Sequence, residues 1–174
     1  YFDFKLRLLG ALAHTTRETR GGYPGSGLIR HARLATTVAV SDLIEVVTAG
    51  SNKNAVTPEW CERLMPLGLA IWYMDDGSCQ FPATQRPRAH LAANNYSFAG
   101  AKLLSDMLVR RFGVTNDLFD YRGATIVLTA DGTERFFDLI YPYVPASMKY
   151  KLAPKYRERP CVLKPPRMLI DCGV

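Results

Sequence analysis

Long apolar runs are missing from this sequence. Nowhere in its 174 residues is there an uninterrupted stretch of the roughly 20 apolar residues that a bilayer-crossing helix requires. Nothing resembles a signal peptide either, so the expectation is an intracellular, non-secreted protein without a membrane partner. Cysteine is scarce. Cys61, Cys79, Cys161 and Cys172 form no Cys-x-x-Cys pair, and His14, His31 and His90 show no ligand spacing. That argues against a zinc site and leaves four reduced thiols. Acidic residues are outnumbered, 16 against 22 Lys and Arg, for a net charge of +6. Such an excess favours a polyanionic partner. The chain opens on Tyr1 rather than Met, in mid-pattern, and reads as a piece of a longer protein.

What is present is enough to build a core: 48% of the residues are hydrophobic, which suits one or two compact units. Residues 67–74 are apolar at nearly every position, the pattern of an enclosed helix, and they run into Asp75-Asp76-Gly77. Gly77 reads as a left-handed helix stop. Two adjacent carboxylates would then occupy the last turn, where the helix dipole disfavours anions. Two readings stay open from these residues alone. One is a solvated Asp-Asp-Gly stop; the other is a hard-cation site, in which Mg2+ or Mn2+ relieves the repulsion.

Taken in order, the apolar spacing of Phe4, Leu8, Leu9 and Leu12 predicts a helix over residues 2–12. Residues 15–23 are polar, and the glycines and proline that follow mark a turn. Residues 28–38 suit a strand or hairpin arm. Ser41 is expected to cap a short helix over 43–47. Beyond the 67–74 helix come a faint strand within 79–87 and a second strand over 88–94. A helix capped by Ser97 and stopped by Gly113 follows, then strands over 114–121 and 124–129. A last helix is capped by Asp131 or Thr133. The order is αββαββα, an α+β unit with helices on one face of an antiparallel sheet. Asp42-Leu43-Ile44 and Asp138-Leu139-Ile140 echo each other, each trailed by a lysine, Lys53 in one case and Lys149 or Lys151 in the other. The expected divisions are a partial first repeat over 1–57, a complete repeat over 58–153, and a basic, proline-containing tail over 154–174.

With these features in place the chain resembles the LAGLIDADG homing endonucleases. The resemblance is carried by Leu69-Ala70-Ile71-Trp72-Tyr73-Met74-Asp75-Asp76-Gly77-Ser78, by Met148 to Leu152 as a Met-x-Tyr-Lys-Leu segment, and by Lys53-Asn54-Ala55-Val56-Thr57-Pro58. It implies a saddle of antiparallel strands in the DNA major groove and two motif helices packed side by side, each giving one carboxylate to a shared metal site. It assigns Asp76 to the metal-binding catalytic position, Asp75 to the place before it as a further metal contact, made in the family chiefly through the backbone carbonyl, and Lys53 and Lys151 to the flanking basic positions. Ile71 departs from the small residue of the name motif, so close helix packing would rest on Gly68 and Ala70. One motif is present, and the partner aspartate is expected upstream of Tyr1.

The implied function is site-specific, metal-dependent cleavage of a double-stranded DNA target by an intron- or intein-borne enzyme. The full-length protein would be monomeric and pseudo-symmetric, and this chain alone would cut poorly. The alternative is a non-cleaving nucleic-acid binder of the same fold, an RNA maturase or a DNA-binding regulator. Strand side chains alternate between faces, so one face of each arm can offer groups to base edges. Candidate DNA contacts are Gln80, Gln85, Arg86, Arg88 and His90 in one arm and Tyr121, Arg122 and Thr125 in the next. Arg17, Arg20, Arg30 and Arg33 would serve the partial first half.

Overall fold

The computed structural model describes residues 1–9, 14–21, 27–35, 37–48, 55–120 and 123–162. These fall into two compact units, Tyr1–Ser41 and Asp42–Val162.

The first unit opens with helix α1 (Phe2–Leu9) and continues as an antiparallel hairpin of β1 (His14–Arg20) and β2 (Leu28–Leu34). The polar 15–23 stretch is therefore a strand for most of its length, although no apolar alternation announces it. Its residues from Thr15 to Glu18 are exposed, as is all of β2, so neither strand needed a buried apolar face to be written into the sequence. Helix α2 (Val38–Thr48) crosses into the second unit. It starts earlier than expected, and Ser41 lies inside it, with its own N–H bonded to the Thr37 carbonyl, rather than capping it.

The second unit has the expected order. Thr57 caps α3 (Pro58–Arg63), accepting the Trp60 N–H, with Pro58 in the first turn, where a missing N–H costs nothing. Pro66 opens α4 (Pro66–Asp76) in the same way. Then come β3 (Gly77–Gln80), β4 (Arg88–Ala92), α5 (Phe98–Phe112), β5 (Asn116–Asp120), β6 (Ala124–Leu128) and α6 (Ala130–Ile140). A 3-10 turn at Ala146–Lys151 leads into the short helix α7 (Pro154–Arg157). Ser97 caps α5 through the Gly100 N–H, and Gly113 ends that helix at φ 67°, a left-handed conformation that glycine adopts without strain. Asp131 and Thr133 do not cap α6. Thr129 does, through the Gly132 N–H, and Thr133 instead is buried, its hydroxyl accepting from the Ala89 N–H.

The four strands lie in the order β3-β4-β6-β5, all antiparallel. Ala89, Leu91, Ala124, Ile126 and Leu128 point to the inner face and are buried. The core lies between that face and the helices. Leu69 and Tyr73 of α4, Leu104 and Leu108 of α5, and Phe136 and Phe137 of α6 are all fully enclosed. Helix α4 is not enclosed all round as its composition suggested. Leu69, Ala70, Tyr73 and Met74 are buried, while Gly68, Ile71 and Trp72 form a half-exposed stripe at helical spacing.

The second unit runs past residue 153, where the sequence placed the start of a tail. Tyr156 is 1% exposed, its ring meets Phe137 edge-on at 5.5 Å, and its hydroxyl bonds to Asp138 and to the Glu134 carbonyl. Both Asp-Leu-Ile segments lie in helices, Asp42 as the fifth residue of α2 and Asp138 as the ninth of α6.

Candidate nucleic-acid cleavage site

Helix α4 ends at Asp76, and the chain passes straight into β3. Gly77 is extended there, at φ −92° and ψ 156°, so it is not the left-handed stop expected from the sequence. Its smallness is needed for a different reason. A Cβ at Gly77 would stand 2.2 Å from the Tyr73 ring and 2.5 Å from the Tyr73 carbonyl oxygen. Glycine is required by a close approach within the fold, not by backbone conformation.

Asp75 and Asp76 are both exposed at the helix end, while Met74 before them and Gly77 after them are buried. Lys151 reaches this end from the 3-10 turn. Its Nζ donates to the Met74 carbonyl at 2.6 Å and to the Gly77 carbonyl at 3.0 Å, with the Tyr73 carbonyl at 3.5 Å. Burial lowers the Lys151 pKa below the ordinary lysine value, and the charges of Asp75 and Asp76 oppose that shift. Lys149 points elsewhere, donating to the Arg159 carbonyl, so Lys151 is the lysine at the carboxylates. Lys53 lies outside the described residues. Tyr96, missed in the sequence, also belongs here: burial raises its pKa, and the Asp76 charge adds to the rise.

The donor set suits a hard cation of the Mg2+ kind, which commonly takes one or two carboxylates and fills its remaining positions with water and phosphate oxygens. Among the described residues no group of three or more His, Cys, Asp or Glu gathers into an all-protein cage. Among them, too, no hydrogen bond or ion pair claims the Asp76 carboxylate.

The outer face of the four-stranded sheet carries Gln80, Arg88, His90 and Thr125. Gln80 pairs with Arg88, His90 lies between Ser78 and Val127, and Thr125 lies between Ala92 and Phe119. Four predicted contacts therefore share one surface, joined by Asp117 and by Phe119, which is 51% exposed. Arg88 is already engaged, with Nε on the Leu128 carbonyl and Nη2 on Asp117 at 3.0 Å. Arg86 stands apart, forked onto Asp131 and Glu134 at the start of α6. Gln85 is exposed in the bend between β3 and β4, and Tyr121 and Arg122 lie outside the described residues.

The hairpin of the first unit divides its arginines. Thr15 pairs with Arg33 and Arg17 with His31, so these share a face and line a surface recess. Arg30 and Arg20 point the other way. Arg30 is bonded to Asp3 at 2.9 Å and packs over the Phe2 ring.

Residues 1–136 match the profile of the LAGLIDADG DNA endonuclease family. Protein RecA of Mycobacterium leprae (strain TN) is 31% identical over 189 residues, covering 100% of this chain and 26% of that protein. The chain thus spans about a quarter of that relative's length. Cytochrome b mRNA maturase bI2 of Debaryomyces hansenii is 33% identical over 106 residues, covering 58% of this chain and 38% of the maturase. Among solved structures, the homing endonuclease I-WcaI bound to its DNA recognition sequence superimposes with a TM-score of 0.61 at 20% identity, over 81% of this chain and 64% of that one. That likeness is one of fold.

Proposed function

The chain belongs to the LAGLIDADG DNA endonuclease family, and from that membership we propose that it is the cutting unit of a site-specific homing endonuclease acting on double-stranded DNA, with Asp76 as a metal ligand. The observation that carries the reading is the exposed carboxylate pair at the end of α4, flanked by the Met74 and Gly77 carbonyls that accept from Lys151 and continuous with the strand that begins the sheet face.

Asp76 and Asp75 would hold the ion, which when bound supplies Lewis-acid activation of water and neutralises charge at a scissile phosphate. The chain's own contribution is alignment. Helix α4 fixes where the carboxylates stand relative to β3, and β3 to β6 carry the groups that would lie along the bases. Gln80 suits an adenine edge, and Thr125 and Phe119 suit a thymine methyl. A second carboxylate would come from a second motif helix in the same longer polypeptide, packed on the half-exposed Gly68, Ile71 and Trp72 stripe. The matched stretch is a minor part of the mycobacterial relative. This supports an insert carried within a host protein, the intein-borne form, over a free-standing enzyme.

The test uses the full-length protein carrying this chain and a randomised duplex library with Mg2+, cut ends being recovered by ligation and sequencing. Wild type is expected to enrich one target and Asp76→Asn to lose cutting by several orders of magnitude. Undiminished cutting by the Asn variant removes the assignment. The second reading, a non-cleaving binder, is favoured by the match to a maturase. Retained, selective nucleic-acid binding by a wild-type protein that cuts nothing would establish it.

A further inference from the structure

Lys151 occupies a place where the family resemblance expects a cation acting on solvent, yet its ammonium is engaged with the protein itself. A lysine has three N–H donors and no acceptor, and three backbone carbonyls face this one, those of Met74, Gly77 and Tyr73. The last carbonyls of a helix have no intrahelical partner, and the negative end of the helix dipole favours a cation there. The two shorter bonds, to Met74 and Gly77, fall on the residues immediately before and after Asp75-Asp76, so they bracket the carboxylate pair. The attachment is reciprocal. The hydroxyl of the fully buried Tyr73 donates to the Lys151 carbonyl at 2.7 Å, and the Tyr73 ring is gripped edge-on by Phe136 and Phe137, both at 5.6 Å.

We infer that Lys151 and Tyr73 are positioning residues: together they lock the last turn of α4 to the 3-10 turn, so that Asp75 and Asp76 project at a fixed angle to meet a divalent ion. The consequence for cutting rests on the nuclease reading; the lock itself does not. A lysine serving as a cation toward water or phosphate would need its charge alone. A lysine serving as a lock needs three donors on one nitrogen, on which three carbonyls converge, and the Tyr73 hydroxyl behind it. The planar fork of arginine presents its donors in one plane, so it keeps the charge while losing the convergence.

The two roles are separated by Tyr73→Phe, Lys151→Met and Lys151→Arg in the full-length protein, each first checked by thermal melting. Three quantities are measured: Tb3+ affinity by luminescence, amide hydrogen exchange at residues 75–78, and the Mg2+ dependence of cutting. Tyr73→Phe leaves the ammonium in place. It is nonetheless expected to accelerate exchange at 75–78 and to weaken Tb3+ binding by about ten- to a hundredfold, the usual effect of removing a group that orients a metal ligand. Lys151→Met and Lys151→Arg are expected to do the same. All three should need correspondingly more Mg2+ for half-maximal cutting, with the rate recovering toward wild type at saturation. Wild-type Tb3+ affinity and exchange in Tyr73→Phe overturn the inference. So does a Lys151→Met protein that no Mg2+ concentration rescues, beside a Lys151→Arg protein that cuts normally. If Tyr73→Phe does not fold, the half-exposed Lys151→Arg carries the decision on the same three readouts. Should the wild-type protein cut no duplex at any Mg2+ concentration, the nuclease reading fails alone, and the Tb3+ affinity and exchange rates still report on the lock.

Discussion

On the outer face of β4, His90 stands two residues from Arg88, and partial burial followed by that guanidinium's charge holds its pKa below 6.5. In the unfolded chain a histidine titrates near 6.5. Between the two values the unfolded state binds more protons, so the stability His90 contributes is present above about pH 6.5 and lost as pH falls through the folded value. The expected result is an NMR midpoint for His90 below 6.5, and a drop in urea midpoint from pH 7 to pH 5 that shrinks in His90→Gln. An equal drop in the variant would remove the argument. At this scale residue type was legible in the sequence and residue company was not. Arg30, Arg86 and Arg88 were all read as DNA contacts, yet each already has a carboxylate partner in its own chain. Those pairs join residues far apart in sequence, and no local pattern records them.

Among the elements, the junction between α4 and β3 is tightly constrained. Gly77→Ala must push a methyl group into the Tyr73 ring and carbonyl, and because Tyr73 is enclosed and locked it has nowhere to move. Overpacking of this kind costs roughly 1–3 kcal/mol, read as a lowered melting temperature; a neutral Gly77→Ala would mean the Tyr73 ring is free to shift. Helices with local end signals were read well. Ser97 and Gly113 bound α5 as expected because capping is a short-range affair. Strand β1 was missed because a hairpin exposed on both faces has no periodicity to display. The role of Gly77 was misread because Asp-Asp-Gly looks the same whether glycine is chosen for its backbone or for an aromatic neighbour. Tyr73 and Lys151 could not have been paired by inspection, since 78 residues separate them.

For the molecule as a whole, the α+β order and the antiparallel sheet were legible because hydrophobic period and turn residues fix them locally. The excess of positive charge was legible from composition, while its distribution over faces needed the strand register. If the chain binds DNA through phosphates, affinity falls steeply with added salt. Arg17→Ala and Arg33→Ala, on one hairpin face, should each reduce the log–log salt slope by about 1. Arg30→Ala, whose charge is answered by Asp3, should change it less; equal slopes for all three would contradict the division of faces. The bond between Tyr73 and Lys151 has a consequence in time as well. It ties α4 to the 3-10 turn late in the second unit, 78 residues further on, and contacts of such long separation form late. During synthesis the acidic pair emerges long before the lysine that holds it, so the nascent protein carries its carboxylates without a fixed aim. A chain released before residue 151 would possess every acidic residue of the motif and still lack the means to point them.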